Sequence, residues 1–221
     1  LDMLNFSTSE ENYLKTIFHL QTKDDNVTTN ELAERLQAKP ASITDMMKKL
    51  KARKLVNYQP YRGFRLTNEG KKIALNIIRR HRLWEYFLSE KLKFNWDEVH
   101  DVAEQLEHVS SKKLIDKLDE FLDHPKFDPH GDPIPDINGK MESSRQVSLS
   151  ELAINKPARI CYVADQSDLL LEYLQEKKIN IGSSVVEKKK FGYDESLEIK
   201  LDNKLLTITN QAAKNIFVKH G

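Results

Sequence analysis

The sequence predicts a mainly α-helical protein with a small β component. It reads as an N-terminal winged helix-turn-helix, a helical middle part and a C-terminal SH3-like β-barrel. Three observations carry this. Apolar residues recur at helical spacing through most of the chain up to Asp123. The stretch His124 to Met141 then gathers Pro125, Pro129, Gly131, Pro133, Pro135 and Gly139. Beyond it, short β-like runs crowd into about 70 residues, the density of a small barrel.

Glu10 to Leu20 is expected to be helical, because Tyr13, Leu14, Ile17 and Phe18 share one face. Asp24 to Thr28 is a polar break, and Thr28 or Thr29 caps a short helix from Asn30 to Leu36. Pro40 suits a first helical turn, so the next helix runs from Ala41 to Arg53. Leu55, Val56 and Tyr58 form a strand, Pro60 to Gly63 a turn, and Phe64 to Leu66 the return strand. A long helix follows from Thr67 to about Lys91, then helices over Asp97 to Ser110 and Lys112 to Asp123. In the last part, 158–164, 184–190, 197–201 and 205–209 read as strands, with a helix over Ser167 to Glu176. The implied division is 1–75, 76–142, a linker over 143–156, and 157–221.

Bulk properties exclude several classes. There is no apolar run long enough for a membrane span, and Leu1 to Thr8 lacks the pattern of a signal peptide. The single cysteine, Cys161, fits a cytoplasmic protein. The net charge of +1 hides an asymmetry: up to Leu75 there are 13 Lys and Arg against 9 Asp and Glu.

That excess falls where a nucleic acid would be read. In a helix-turn-helix the second helix offers its N-terminal residues to base edges, with phosphate contacts on either side. Here Pro40, Ala41, Ser42, Thr44 and Asp45 open that helix. Lys39, Lys48, Lys49, Lys51 and Arg53 are placed to neutralise phosphates, and Arg62 and Arg65 lie on the hairpin. A solvated lysine face would explain the lysines alone, but not the ordered pattern with an Arg-bearing wing.

A second constellation follows. His81 and Glu85 lie one helical turn apart, and His100, Glu104, Glu107 and His108 form a further set at turn spacing. Imidazoles with several carboxylates and no thiolate suit Mn²⁺ or Fe²⁺. Repulsion among Glu85, Glu104 and Glu107 is expected to destabilise the region without a cation. His19, His124, His130 and His220 are expected at the surface. A metalloenzyme is the rival from another class, but no nucleophile, Gly-rich loop or HExxH signature accompanies the cluster. A winged-helix regulator independent of metal is the other alternative.

Several segments together resemble the DtxR/MntR family of metal-dependent repressors. They are Ser9-Glu-Glu-Asn-Tyr-Leu14, Lys39-Pro-Ala-Ser-Ile-Thr44, Arg80-His-Arg-Leu-Trp-Glu85, His100-Asp-Val-Ala-Glu-Gln-Leu-Glu-His108 and His130-Gly-Asp-Pro-Ile-Pro135. The tail resembles the FeoA/SH3-like domain of the long members. The resemblance implies a homodimer joined through the helical middle part, binding double-stranded operator DNA with Mn²⁺ or Fe²⁺ as corepressor. It implies two metal sites per subunit. One would use Glu104, Glu107 and His108 with Asn12 or Glu11 from the first helix. The other would use His81, Glu85 and His100 with an acid from the C-terminal domain, Asp165 or Asp168. Glu104, where iron sensors carry Cys, resembles the manganese branch. Two departures stand out: Asn12 replaces the usual Asp of manganese sensors, and Lys15 replaces a metal-bridging Glu of the short ones.

Overall fold

The computed structural model describes residues 6–21, 26–59, 62–95, 98–109, 111–142, 146–165 and 167–220. Asp24 and Asp25 of the polar break, Pro60 and Tyr61 of the hairpin turn, Asp97 and Ser110, and Ser143 of the linker lie outside the described residues.

The chain separates into two compact units. The first takes residues 1–81, 105–115 and 135–140. It opens with α1 (Thr8–Leu20), which starts ahead of the expected Glu10 because Ser7 and Glu10 form a capping box. Thr28 and Glu31 repeat the device at α2 (Thr29–Arg35). In α3 (Pro40–Ala52) the proline sits in the first turn, and Ile43, Met47 and Leu50 bury one face. Strands β1 (Val56–Gln59) and β2 (Gly63–Leu66) pair antiparallel, Val56 opposite Leu66. Gly63 has φ +102°, and a Cβ there would lie 2.4 Å from the Val27 carbonyl oxygen. Only glycine lets Val27 and Phe64 exchange their two 2.8 Å backbone hydrogen bonds, which dock the wing against the segment before α2. Thr67 caps α4 (Asn68–Glu90), its hydroxyl accepting from the Gly70 N–H. Leu14 and Ile17 of α1, Leu32 of α2, the α3 face, Phe64, Leu66 and Ile77 make one buried core. Each such side chain, fully buried, contributes about 1.5–3 kcal/mol.

The second unit takes residues 82–104, 116–134 and 141–221. Helices α5 (Val99–Leu106) and α6 (Lys112–Phe121) are each shared in sequence between the two ranges. Helix α5 ends before the expected Ser110, its last turn tightening to a Val109 N–H to Leu106 carbonyl bond. The segment read as a linker holds β3 (Val147–Ser148) and a 3₁₀ turn with Leu149 fully buried. Then come β4 (Pro157–Val163), α7 (Asp168–Glu176), β5 (Ser184–Lys190), β6 (Leu197–Leu201), β7 (Lys204–Ile208), α8 (Asn210–Asn215) and β8 (Ile216–His220). The antiparallel sheet runs β3-β8-β4-β5-β6-β7, so the last strand is an interior one, second from the edge. Alternating inward residues, among them Ile160, Val185, Ile199, Ile216 and Val218, fill its core with Leu171 and Leu174 of α7.

Candidate metal centre and nucleic-acid interface

The recognition face is open. Lys39, Pro40, Ala41, Ser42, Thr44, Asp45, Lys48 and Lys49 are exposed, as is Arg62 on the wing, while Arg65 is half-buried. The N-cap residue of α3, Lys39, makes no side-chain capping hydrogen bond to the polarised N–H groups of the first turn. Lys48 pairs loosely with Asp45 at 3.2 Å. Lys49 and Arg53 reach back instead to Glu10 of α1, at 3.4 and 2.6 Å. Burial pushes the Glu10 carboxyl up, but the Ser7 N–H and the Arg53 guanidinium outweigh it and hold it below its ordinary value. A charged link between α1 and the recognition helix was not anticipated. Its sign lay in the Glu10, Lys49 and Arg53 trio, whose partners sequence spacing alone could not identify.

In the first unit, α1 meets the turn after α5 in a buried charged cluster. The Glu11 carboxylate takes Arg80 at 2.6 Å on one oxygen and His108 Nδ1 at 2.6 Å on the other. Glu107, with none of its side chain exposed, accepts from the Lys15 ammonium at 2.7 and 2.9 Å. Its Oε2 also lies 2.7 Å from His81 Nδ1, and its Oε1 3.6 Å from His108 Nε2. Burial pushes the Glu107 carboxyl up, but His81 and Lys15 overcome it, so the group stays ionised. The expected repulsion is therefore corrected at Glu107, whose charge is already met by the protein's own cations. Asn12 adds a telling atom: its Oδ1 is buried and accepts no hydrogen bond among the described residues. The two carboxylates and two imidazoles that converge here are donors that suit Mn²⁺ or Fe²⁺, as is an amide oxygen such as that of Asn12.

A second group lies within the second unit. His100 Nδ1 is 3.3 Å from Glu85 Oε1, and His100 Nε2 is 3.7 Å from Glu104. Ligand atoms of Glu85, Asp128 and His130 all come within 4.8 Å of one another, and all three residues are buried. His130 was expected at the surface; it is fully buried. The reason is Gly131, whose φ of +89° lets the loop backbone press against Cys161, while the His130 carbonyl accepts from the Val163 N–H at 3.0 Å. Arg82 holds the same loop through Asp132 at 3.0 Å and the Pro133 carbonyl at 2.6 Å. Burial, then the Glu85 and Asp132 charges, push the Asp128 carboxyl well above its ordinary value. Carboxyls so crowded are stabilised in their ionised form by a cation. Proline-rich composition concealed Asp128 and His130, since such stretches commonly run over the surface.

The remaining expected residues fall as follows. His81 stands one turn before Glu85 on α4, and its Nδ1 is directed at Glu107. Asp165 and Asp168 are exposed. Asp165 accepts from the Ser167 N–H at the start of α7, and neither joins a grouping of three ligand atoms among the described residues. His19 and His124 are exposed as expected, and the His220 side chain lies outside the described residues.

Comparison with known proteins matches three stretches. Residues 5–64 match the family described as "Iron dependent repressor, N-terminal DNA binding domain". Residues 67–136 match "Iron dependent repressor, metal binding and dimerisation domain", and 147–220 match "FeoA domain". The chain is 35% identical over 120 residues to an "HTH-type transcriptional regulator MntR" of Oceanobacillus iheyensis, covering 54% of this chain and 81% of that one. It is 28% identical over 173 residues to an "Iron-dependent repressor IdeR" of Mycobacterium leprae, covering 72% and 75%. Among solved structures, a "Manganese-dependent transcriptional repressor complex with manganese" superposes with a TM-score of 0.83 at 30% identity, over 96% of this chain and 99% of that one.

Proposed function

The chain belongs to the iron-dependent repressor family, and on that premise we propose that it represses transcription at double-stranded operator DNA with Mn²⁺ or Fe²⁺ as corepressor. It does so as a homodimer in the cytoplasm. No helix among the described residues is long and apolar enough to cross a membrane. Residues 1–75 read DNA, 76–142 hold metal and the dimer contact, and 143–156 lead into the FeoA part at 157–221.

One observation carries the reading: Glu11, Glu107, His81 and His108 converge in one cluster of carboxylates and imidazoles, and the residue after Glu11, Asn12, has a buried amide oxygen with no hydrogen-bond partner among the described residues. Glu11, Asn12, Glu107 and His108 are the proposed ligands of the first site. Glu85, His100, Asp128 and His130 form the second, with Asp128 in the role expected of Asp165 or Asp168. A divalent cation bound at the first site would supply the charge that lets the Glu11 carboxylate of α1 and the Glu107 carboxylate share one centre.

The protein groups then do the coupling. Glu11 and Asn12 fix α1, while the neighbouring Glu10 holds Arg53 and Lys49 of the recognition helix. Leu14 and Ile17 pack into the same core as Ile43, Met47 and Leu50. Restraint on α1 is thereby passed to α3, and in a dimer this sets the spacing of two recognition helices. A tenfold tightening on DNA needs a coupling of about 1.4 kcal/mol. Replacing His108 by Ala tests the site. The variant stays folded, and its operator affinity no longer responds to Mn²⁺. A variant still tightened by Mn²⁺ would remove this cluster from the switch, and a wild type indifferent to metal would favour the metal-independent regulator.

A further inference from the structure

We propose that Lys15 is a tethered internal cation that occupies the first metal site in competition with the ion and so sets the metal concentration at which the site fills. This rests on the reading of Glu11, Asn12, Glu107 and His108 as that site. Both Glu107 oxygens are in use: Lys15 donates to each, at 2.7 and 2.9 Å, and His81 shares the second. An incoming cation gains Glu107 only by displacing the ammonium.

The other cation of the cluster is held differently. Arg80 is buried, has its Nε enclosed without a hydrogen bond among the described residues, and grips Glu11 at 2.6 Å. It is placed to orient Glu11, leaving the second oxygen toward His108. Lys15 sits on a flexible four-carbon stem, and 12% of its side chain already reaches solvent. It is the cation that can leave, swinging outward to be hydrated while the divalent ion takes its place.

Two Glu carboxylates against Lys15 and Arg80 make the cluster electrically self-sufficient, which keeps the fold intact without metal. The cost falls on the ion, whose affinity is lowered by whatever the Lys15–Glu107 pair is worth. Because an ammonium makes no distinction among divalent ions, the device moves the threshold rather than the choice of metal.

The test is calorimetric titration of Mn²⁺ into the full chain as wild type, Lys15→Met, Lys15→Arg and His108→Ala. Lys15→Met should bind at the first site roughly tenfold or more tightly, a change of about 1.4 kcal/mol, and Lys15→Arg should return toward wild type. Unchanged or weaker binding by folded Lys15→Met overturns the proposal. His108→Ala separates the two layers. If it abolishes one Mn²⁺ site, the site reading stands and only the role of Lys15 is judged by the other variants; if it binds as wild type does, the site reading fails and the proposal with it. Should Lys15→Met not fold, reductive methylation of the wild type decides, read by mass spectrometry. Lys15 should be protected in chelator and reactive at saturating Mn²⁺, and equal reactivity in both overturns the proposal.

Discussion

Replacing Gly131 by alanine places a methyl group 1.9 Å from the Cys161 carbonyl oxygen, 2.7 Å from its carbon and 2.8 Å from the Tyr162 Cα. All three are backbone atoms, so no rotamer change relieves the contact, and the loop must lift away from β4. At φ +89° an L-residue is strained as well, by about 1–2 kcal/mol. Lifting the loop strips the Val163 N–H of its bond to the His130 carbonyl, worth about 1 kcal/mol. The expected loss is therefore about 2–4 kcal/mol for Gly131→Ala, a fall in Tm of roughly 5–15 °C for a chain of this size. His130 and Asp128 move with the loop, so the proposed second site goes while the cluster at Glu11 and Glu107 remains. Differential scanning calorimetry with a Mn²⁺ titration reads both effects. A Tm within about 1 °C of wild type, with unchanged Mn²⁺ stoichiometry, would refute the account of how this loop is held and what it holds.

Arg62→Ala removes an exposed wing cation whose side chain has no hydrogen bond or ion pair among the described residues. It should weaken binding to all DNA sequences alike and reduce the salt slope by about one, with thermal stability unchanged; a sequence-selective loss would point to base contact instead. At α2, the Thr28 N–H and hydroxyl hold the Glu31 carboxyl below its ordinary value. A folded value below the unfolded one means stability that is present above the ordinary carboxylate range and disappears as pH falls through the folded value. Glu31→Ala should accordingly be less stable than wild type to urea at about pH 7 and converge with it at about pH 2–3; a gap that persists in acid would contradict this.

Much of the architecture can be read from residues alone because its signals are local. Capping pairs such as Thr28 with Glu31, the Ile43, Met47 and Leu50 stripe, and Pro40 in a first turn each act within a few residues. The same applies to helical pairs such as His81 with Glu85. What spacing does not reveal is the partner across space. His81 is directed at Glu107, 26 positions away, and Lys15 answers a carboxylate 92 positions away. Strand β8 is another case: Ile216 and Val218 alternate like any edge segment, yet pairing with β3 on one side and β4 on the other makes theirs an interior strand. His130 was hidden by its proline-rich surroundings. Its burial depends on the Gly131 contact with Cys161, which no local pattern announces.

In the proposed mechanism, metal controls DNA binding. Fluorescence anisotropy of the full chain on double-stranded promoter DNA from its own genomic neighbourhood, with Mn²⁺ and Fe²⁺ each titrated against chelator, tests it most directly. The account predicts a tightening of about tenfold or more with metal. Equal affinity in metal and in chelator would contradict it.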